Sequence, residues 1–499
     1  MGLLEEKKVI SREKRASTLT AYQGINKVLL EDLSVPEIRQ RIRTFSQGNK
    51  DEIIHALALL SRIKNTPVIL HGAIGCSAAE LYFYKETAEG TWYSTDLNER
   101  DTIMGGDDKL RKTIERVYYN YRPKVIFVVS TPVVAINNDD INSIILELEE
   151  ELDTKIISVY TDGFKTKAGI NGTDIVLHCL ARFIGESSAH SEIEKPEEED
   201  RNLPAPNFNS TDITVPDIKV SVKGEDFINL ISITENEVAV KELTRLLEEL
   251  NVSYNVIPQF AGIEDIQRAR FAKASIAVTD DEADVLIHGL NEKFGIPVIK
   301  SPVPIGIRGT GDWLLELGKA AGIQEKVIKL IAAEEEKVKK YISKKPLARK
   351  KIFINLDAGA AAGLVEFIEE LGGEVTGIAF SHIDRLNQDK LKTLPKEVFI
   401  QVGDGQPFEL VNLLVKNKPD FYIGGVEHAG LAASLGILPI SVTNKILYGY
   451  KGAIQLIQAI LKLEKRTGFA DYLAENTKPP YKESWLKRSA NWYIKQEVK

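Results

Sequence analysis

The sequence predicts an α/β protein made of three Rossmann-like, doubly wound parallel-sheet domains. Three observations carry that prediction. Short apolar runs such as "TPVILHG", "PKVIFVVSTP" and "KKIFINLD" end in glycine- or turn-rich loops and read as buried strands. Between them lie longer stretches with apolar residues at helical spacing, such as "DEIIHALALLSRI" and "DDKLRKTIERVYYNY". This alternation restarts twice along 499 residues, too many for one core. Alternating strands and helices give parallel sheets covered on both faces.

Taken in order, residues 1–45 read as a helical lead closed by "LSVPEIRQRIRTF", where Pro36 suits a first helical turn. A first domain is expected over 46–190, with strands in "TPVILHG", "PKVIFVVSTP" and "TKIISVYTDGF" and a helix in "DDINSIILELEEEL". The run at 191–217 is acidic and then rich in Pro, Asn and Ser, and reads as a linker or surface excursion. A second domain follows over 218–345, with "FINLISIT", "VSYNVIPQF" and "AKASIAVT" as strands and "ENEVAVKELTRLLEELN" as a helix. A third covers 346–465, ending in the long helix of "GYKGAIQLIQAILKLEK". The tail, 466–499, carries Trp485, Trp492 and Tyr493, which either dock on a neighbour or pack on their own domain.

Composition removes several function classes. Apolar content of 43% with 27% charge is that of an ordinary globular protein. No apolar run approaches the roughly 20 residues of a membrane helix. The basic start has no apolar segment behind it, so no secretory signal is expected and the expected location is cytoplasmic. A net charge of −8 argues against nucleic acid as a partner. Two cysteines, Cys76 and Cys179, exclude a disulfide framework and a complete four-thiolate cluster within one chain. Neither a GxGxxG turn nor a Walker A loop is present; "DAGAAAG" resembles the former only loosely.

Ligands of open α/β sheets sit at the carboxyl ends of the strands. The loops to watch are therefore "HGAIGC", "STPVVAINNDD", "SPVPIGIRGTGDW", "LDAGAAAG", "IGGVEHAG" and "VTNKILYGYKG". In the first, Cys76 has three readings: a cluster ligand, a small buried thiol, or a nucleophile with His71 as base. Cys179, in "IVLHCLARF", reads as core packing. His288, His382 and His428 stand singly and read as hydrogen-bonded histidines. Asp139 and Asp140 suit a helix N-cap, and Glu99, Arg100 and Asp101 an ion-pair or interface network.

These loops together resemble the nitrogenase component 1 family. "HGAIGC" is similar to its "HGPxGC" loop, "STDLNERDTIMGGDDKL" to its "S…E.D.IFGG..KL" stretch, and "VIFVVSTPVVAINNDDI" to its "TC…IGDDI" element. The resemblance continues in family order through "YTDGF", "GIPVIKSPVPIGIRGTGDWL", "KPDFYIGG" and "GYKG", over roughly residues 45–460. It implies three Rossmann-like domains, pairing with a homologous component 1 subunit, an iron–sulfur cluster between the paired chains, and electrons from an ATP-dependent iron–sulfur reductase component.

The resemblance also says which ligands are missing. Cys76 matches the cluster cysteine of the "HGxxGC" loop, with Gly72 and Gly75 as cofactor-binding positions that let backbone approach a bulky cluster. The "TC" cysteine is replaced by Pro132, and the region "RTFSQGNKDEI" holds none. Two copies of Cys76 leave two irons of a four-iron cluster without ligands, whereas a partner with three cysteines completes the set. The positions that hold the α chain's catalytic cofactor fall at Thr279 and Asn444, neither a normal ligand for an iron–sulfur cofactor. The expected function is a nitrogenase-like oxidoreductase subunit; the alternative is a non-catalytic scaffold or assembly paralogue that has lost its metal ligands.

Overall fold

The computed structural model describes residues 18–33, 51–76, 92–161, 169–186, 226–343, 345–384, 387–403, 406–442, 447–478 and 481–488. β1 (Tyr22–Ile25) comes first and leads directly into the helix Asn26–Leu33. The first sheet holds β2 (Val68–His71), β3 (Trp92–Ser94), β4 (Val125–Ser130) and β5 (Lys155–Val159). The second holds β6 (Phe227–Ser232), β7 (Ser253–Pro258), β8 (Ala274–Ala277) and β9 (Val298–Ile299). The third holds β10 (Lys351–Asn355), β11 (Glu374–Phe380), β12 (Phe399–Val402), β13 (Phe421–Gly424) and β14 (Leu438–Ser441), with β1 at its edge.

The strand orders are β3-β2-β4-β5, β7-β6-β8-β9 and β1-β12-β11-β10-β13-β14. All pairings are parallel except β1 with β12. The order reverses once in each sheet: between β2 and β4, between β6 and β8, and between β10 and β13. At such a switch the outgoing loops diverge and leave a crevice above the carboxyl ends.

The sequence dictates these layers directly. All six residues of β4, "VIFVVS", are buried, as expected of a strand covered on both faces. The helix Asp107–Tyr121 buries Leu110, Thr113, Ile114, Val117 and Tyr118, one stripe at helical spacing. One apolar core runs between the first and second sheets through Leu57, Val68, Phe127, Leu180, Ile231 and Leu286. Another joins the second and third through Leu230, Val256, Trp313, Leu364, Ile378 and Tyr450. No helix among the described residues is long and apolar enough to cross a membrane.

Three features depart from or refine the sequence expectation. The lead is not purely helical: Tyr22 is buried and Tyr22–Ile25 pairs antiparallel with Phe399–Val402. The Pro36 helix and the 191–217 linker lie outside the described residues. β3 is only three residues long and carries no periodicity of its own. The tail packs on its own domain as far as Arg488: Asn412 Nδ2 donates to the carbonyls of Leu486 (3.0 Å) and Arg488 (2.9 Å), and Leu486 is buried. Trp492 and Tyr493 lie outside the described residues.

Candidate functional site

His71 ends β2 and is fully buried, so its ring lies beneath the loop that follows. The Thr95 hydroxyl accepts the Gly72 N–H at 3.0 Å and stands 3.0 Å from His71 Nδ1. The other ring nitrogen, Nε2, faces Asp139 Oδ2 at 3.5 Å, beyond good hydrogen-bond length. Burial lowers the His71 pKa to about 4, so the imidazole is neutral at pH 7. Burial, and then the charge of Asp107, raise that of Asp139. Gly106 fits between the two, since a Cβ there would lie 2.8 Å from His71 Cε1 and 3.0 Å from Asp139 Oδ2.

This arrangement separates the two aspartates. Asp140 caps the helix Ile141–Glu151, accepting the Ser143 N–H at 3.1 Å and the Ser143 hydroxyl at 2.7 Å. Asp139 turns inward to His71 instead. With its ring nitrogens directed at Thr95 and Asp139, His71 is not disposed as a base for Cys76. Asp101 closes a capping box with Asn98 and pairs with Lys109 at 3.0 Å.

The loop itself opens outward. A Cβ on Gly72 would overlap the Thr131 side chain, so this glycine is required by the chain's own packing. Among the described residues, a Cβ on Gly75 would meet nothing within 4 Å. Cys76 is partly exposed and outside any disulfide, and its N–H donates to the Ala73 carbonyl at 3.1 Å. Pro132 takes the first position of the helix Pro132–Asn137. That helix is tied to the helix Glu99–Met104 by Asn137 Nδ2 donating to the Thr102 carbonyl at 2.8 Å. Leu97 N–H donates to the Gly72 carbonyl at 2.9 Å and joins both to the loop. Around this mouth Ile74 is 63% exposed, Ile103 81%, Met104 76% and Ile136 71%.

The second crevice is built differently. Thr279, just past β8, is buried, and its Oγ1 lies 3.0 Å from Glu235 Oε1 and 3.2 Å from Glu282 Oε2. Glu235 and Glu282 are themselves buried. Asp281, at the start of the helix Asp280–Phe294, accepts from Asn387 Nδ2 at 2.9 Å and pairs with Lys390 at 3.7 Å. Asp357, just past β10 of the third sheet, accepts the Ser381 hydroxyl at 2.8 Å. Burial, followed by the charges of Asp357, Glu235 and Asp281, raises the Glu282 pKa well above the usual carboxylate range. Asn444 lies outside the described residues.

Sequence reasoning missed these acids. Glu235, Asp281, Glu282 and Asp357 each stand just beyond a strand, where an acid ordinarily reads as a helix cap. Of the single histidines, His382 Nδ1 lies 3.0 Å from the Ser381 hydroxyl and its Nε2 is 3.7 Å from Asp384. His288 pairs with Asp284 at 3.1 Å. Cys179 packs against the core of the first two sheets, with Sγ 3.5 Å from the Ser158 carbonyl oxygen. Among the described residues no three His, Cys, Asp or Glu side chains are grouped so as to hold a metal ion.

The sequence profile of the nitrogenase component 1 type oxidoreductases matches residues 53–464. The chain belongs to that family. The nitrogenase iron-molybdenum cofactor biosynthesis protein NifE of Clostridium pasteurianum is 26% identical over 425 residues, covering 81% of this chain and 85% of that protein. The nitrogenase molybdenum-iron protein alpha chain of Methanothermobacter marburgensis is 24% identical over 425 residues, covering 79% and 82%. The solved structure of nitrogenase Cp1 at pH 6.5 matches with a TM-score of 0.69 over 89% of this chain and 96% of that one. At 16% identity that likeness is one of fold. The component 1 match takes in every strand from β2 to β14, and with them all three crevices; β1 and the tail lie outside it.

Proposed function

We propose that this chain is one subunit of a nitrogenase-like component 1 oxidoreductase and that it pairs with a homologous component 1 chain. Cys76 gives one thiolate to an iron–sulfur cluster shared by the two. Electrons arrive from an ATP-dependent iron–sulfur reductase component, and the reaction is a multi-electron reduction. The observation that carries this reading is the position of Cys76, partly exposed in a loop tied to the segments that bear the exposed Ile103, Met104 and Ile136. Apolar groups clustered in this way mark a surface that another protein covers.

The donor chemistry fits such a cluster in part. Thiolate is the ligand iron–sulfur clusters take, and the side of Gly75 left open by the described residues lets backbone approach one. A single thiolate does not hold four irons, so the remaining ligands belong to the partner. When bound, the cluster supplies one-electron transfer. The chain's own residues position the thiol: Ala73 holds the Cys76 N–H, and Thr95 and Leu97 tether Gly72 from below.

Two observations favour a second reading, a non-catalytic scaffold or assembly paralogue. Pro132 stands where the family pattern has a further cluster cysteine, and the relative in Clostridium pasteurianum is named as a cofactor biosynthesis protein. The deciding experiment is anaerobic purification of the chain alone and with a co-encoded homologue, with iron and visible absorption measured in both. Iron confined to the pair and lost in Cys76→Ala is the expected result; a pair without iron overturns the shared cluster. Reductant consumption with the reductase component and ATP then separates an oxidoreductase from a scaffold.

A further inference from the structure

We infer that the crevice between the second and third sheets holds a proton within a Glu235–Thr279–Glu282 triad and rejects an anionic metal–sulfur cofactor. The family resemblance sets a cofactor ligand at Thr279, yet the residues present do not fit such a group. The Thr279 hydroxyl is already engaged, 3.0 Å from Glu235 Oε1 and 3.2 Å from Glu282 Oε2. A hydroxyl has one proton to donate. Both contacts are hydrogen bonds only when one carboxyl carries its own proton and donates it to Thr279 Oγ1.

The surrounding donors say which carboxyl that is. Glu235 Oε2 accepts from the Ser232 hydroxyl and the Ile233 N–H, both at 2.8 Å, and its Oε1 takes the Thr279 proton. Glu282 Oε2 lies between two hydroxyls, Thr279 and Thr234, the latter at 2.6 Å. Glu282 therefore bears the proton, in keeping with its burial among Asp357, Glu235 and Asp281. Among the described residues the one cation paired with this group is Lys390, which bonds Asp280 and Asp281 at its edge.

Tyr448 closes the crevice. It is only 8% exposed. Burial and the charges of Glu235, Glu282, Asp357 and Asp281 keep its phenol proton in place. The chemistry left to the crevice is hydrogen bonding or proton donation to a neutral or cationic molecule. Among the described residues, an anion entering would meet Glu235, Asp281 and Asp357 with Lys390 to offset them.

Infrared spectroscopy of the full chain at pH 7 tests the proton. The expected result is the carbonyl band of a protonated carboxylic acid, shifted in deuterium oxide, lost in Glu282→Gln and retained in Cys76→Ala. A band unchanged by Glu282→Gln overturns the inference. Thr279→Val, which keeps both carboxyls, is the second variant and is expected to move the band without abolishing it. Equilibrium dialysis against tetrathiomolybdate, a dianionic metal–sulfur probe, tests the exclusion in the Cys76→Ala background. No saturable binding is expected there; saturable binding that Glu282→Gln or Thr279→Val alters overturns the inference. Because both measurements stand without Cys76, failure of the shared-cluster reading leaves them unaffected.

Discussion

His71 shows what a single side chain contributes beneath the cysteine loop. An unfolded histidine takes a proton near pH 6.5, whereas the buried ring takes one only near pH 4. Between those values the unfolded chain binds a proton that the native chain does not. Stability is therefore lost as pH falls from about 6.5 to 4, by up to about 3 kcal/mol from this residue. Asp139, whose pKa is raised, acts in the opposite sense in the acid range and offsets part of that loss. Urea unfolding of the wild type and His71→Gln at pH 7 and pH 4.5 isolates the histidine. The variant is expected to show the smaller drop, and equal drops would refute a buried neutral ring. The two glycines above it share a motif but not a reason: Gly72 is fixed by Thr131 of its own chain, while Gly75 meets no described neighbour within 4 Å. That difference is invisible in "HGAIGC", because the neighbour that decides it lies 59 positions along the chain.

At the level of elements, close helix packing sets the tolerance of the fold. The helix Glu52–Leu60 lies against the helix Asn171–Glu186, with Asn171 Nδ2 donating to Glu52 Oε1 at 2.7 Å. A Cβ on Gly172 would fall on the Glu52 carbonyl, and backbone cannot swing aside as a side chain does. Gly172→Ala is expected to cost about 3 kcal/mol, read as a lower urea midpoint at unchanged slope. Gly185→Ala, on the same helix, meets among the described residues only the end of Lys293 at 3.4 Å and is expected to change stability by less than about 1 kcal/mol. Equal effects would mean that this crossing is not tight. Elements with their own periodicity, such as "VIFVVS" and "DDKLRKTIERVYYNY", were legible from sequence because burial on one or both faces writes itself into the pattern. β1 was not, because its partner strand begins more than 370 residues later. Asp139 and Asp140 were indistinguishable for the same reason: only Gly106 and His71, from other loops, make one of them turn inward.

Across the whole molecule the three switch points do different work. The second and third contribute to a shared buried acidic crevice, legible only once Glu282 and Asp357 from separate sheets are brought together. The first opens outward, and there the molecule presents apolar surface on three neighbouring segments. If that mouth is where the homologous chain seats, charge placed on it acts on assembly and not on folding. Ile103 and Ile136 are exposed, so Ile103→Asp/Ile136→Asp is expected to leave the unfolding midpoint of the isolated chain within the small range typical of surface changes, about 0.5 kcal/mol. Burying two carboxylates at the centre of an interface costs far more, on the order of 2–4 kcal/mol in binding, or at least a tenfold weaker Kd. Sedimentation of the chain with its homologue and iron analysis of the same fractions read both consequences together. The expected outcome is a stable monomer that neither pairs nor retains iron, although Cys76 is intact. A double variant that pairs with wild-type affinity would place the partner elsewhere. One that pairs normally but loses iron would show that this rim acts on the cluster and not on the contact.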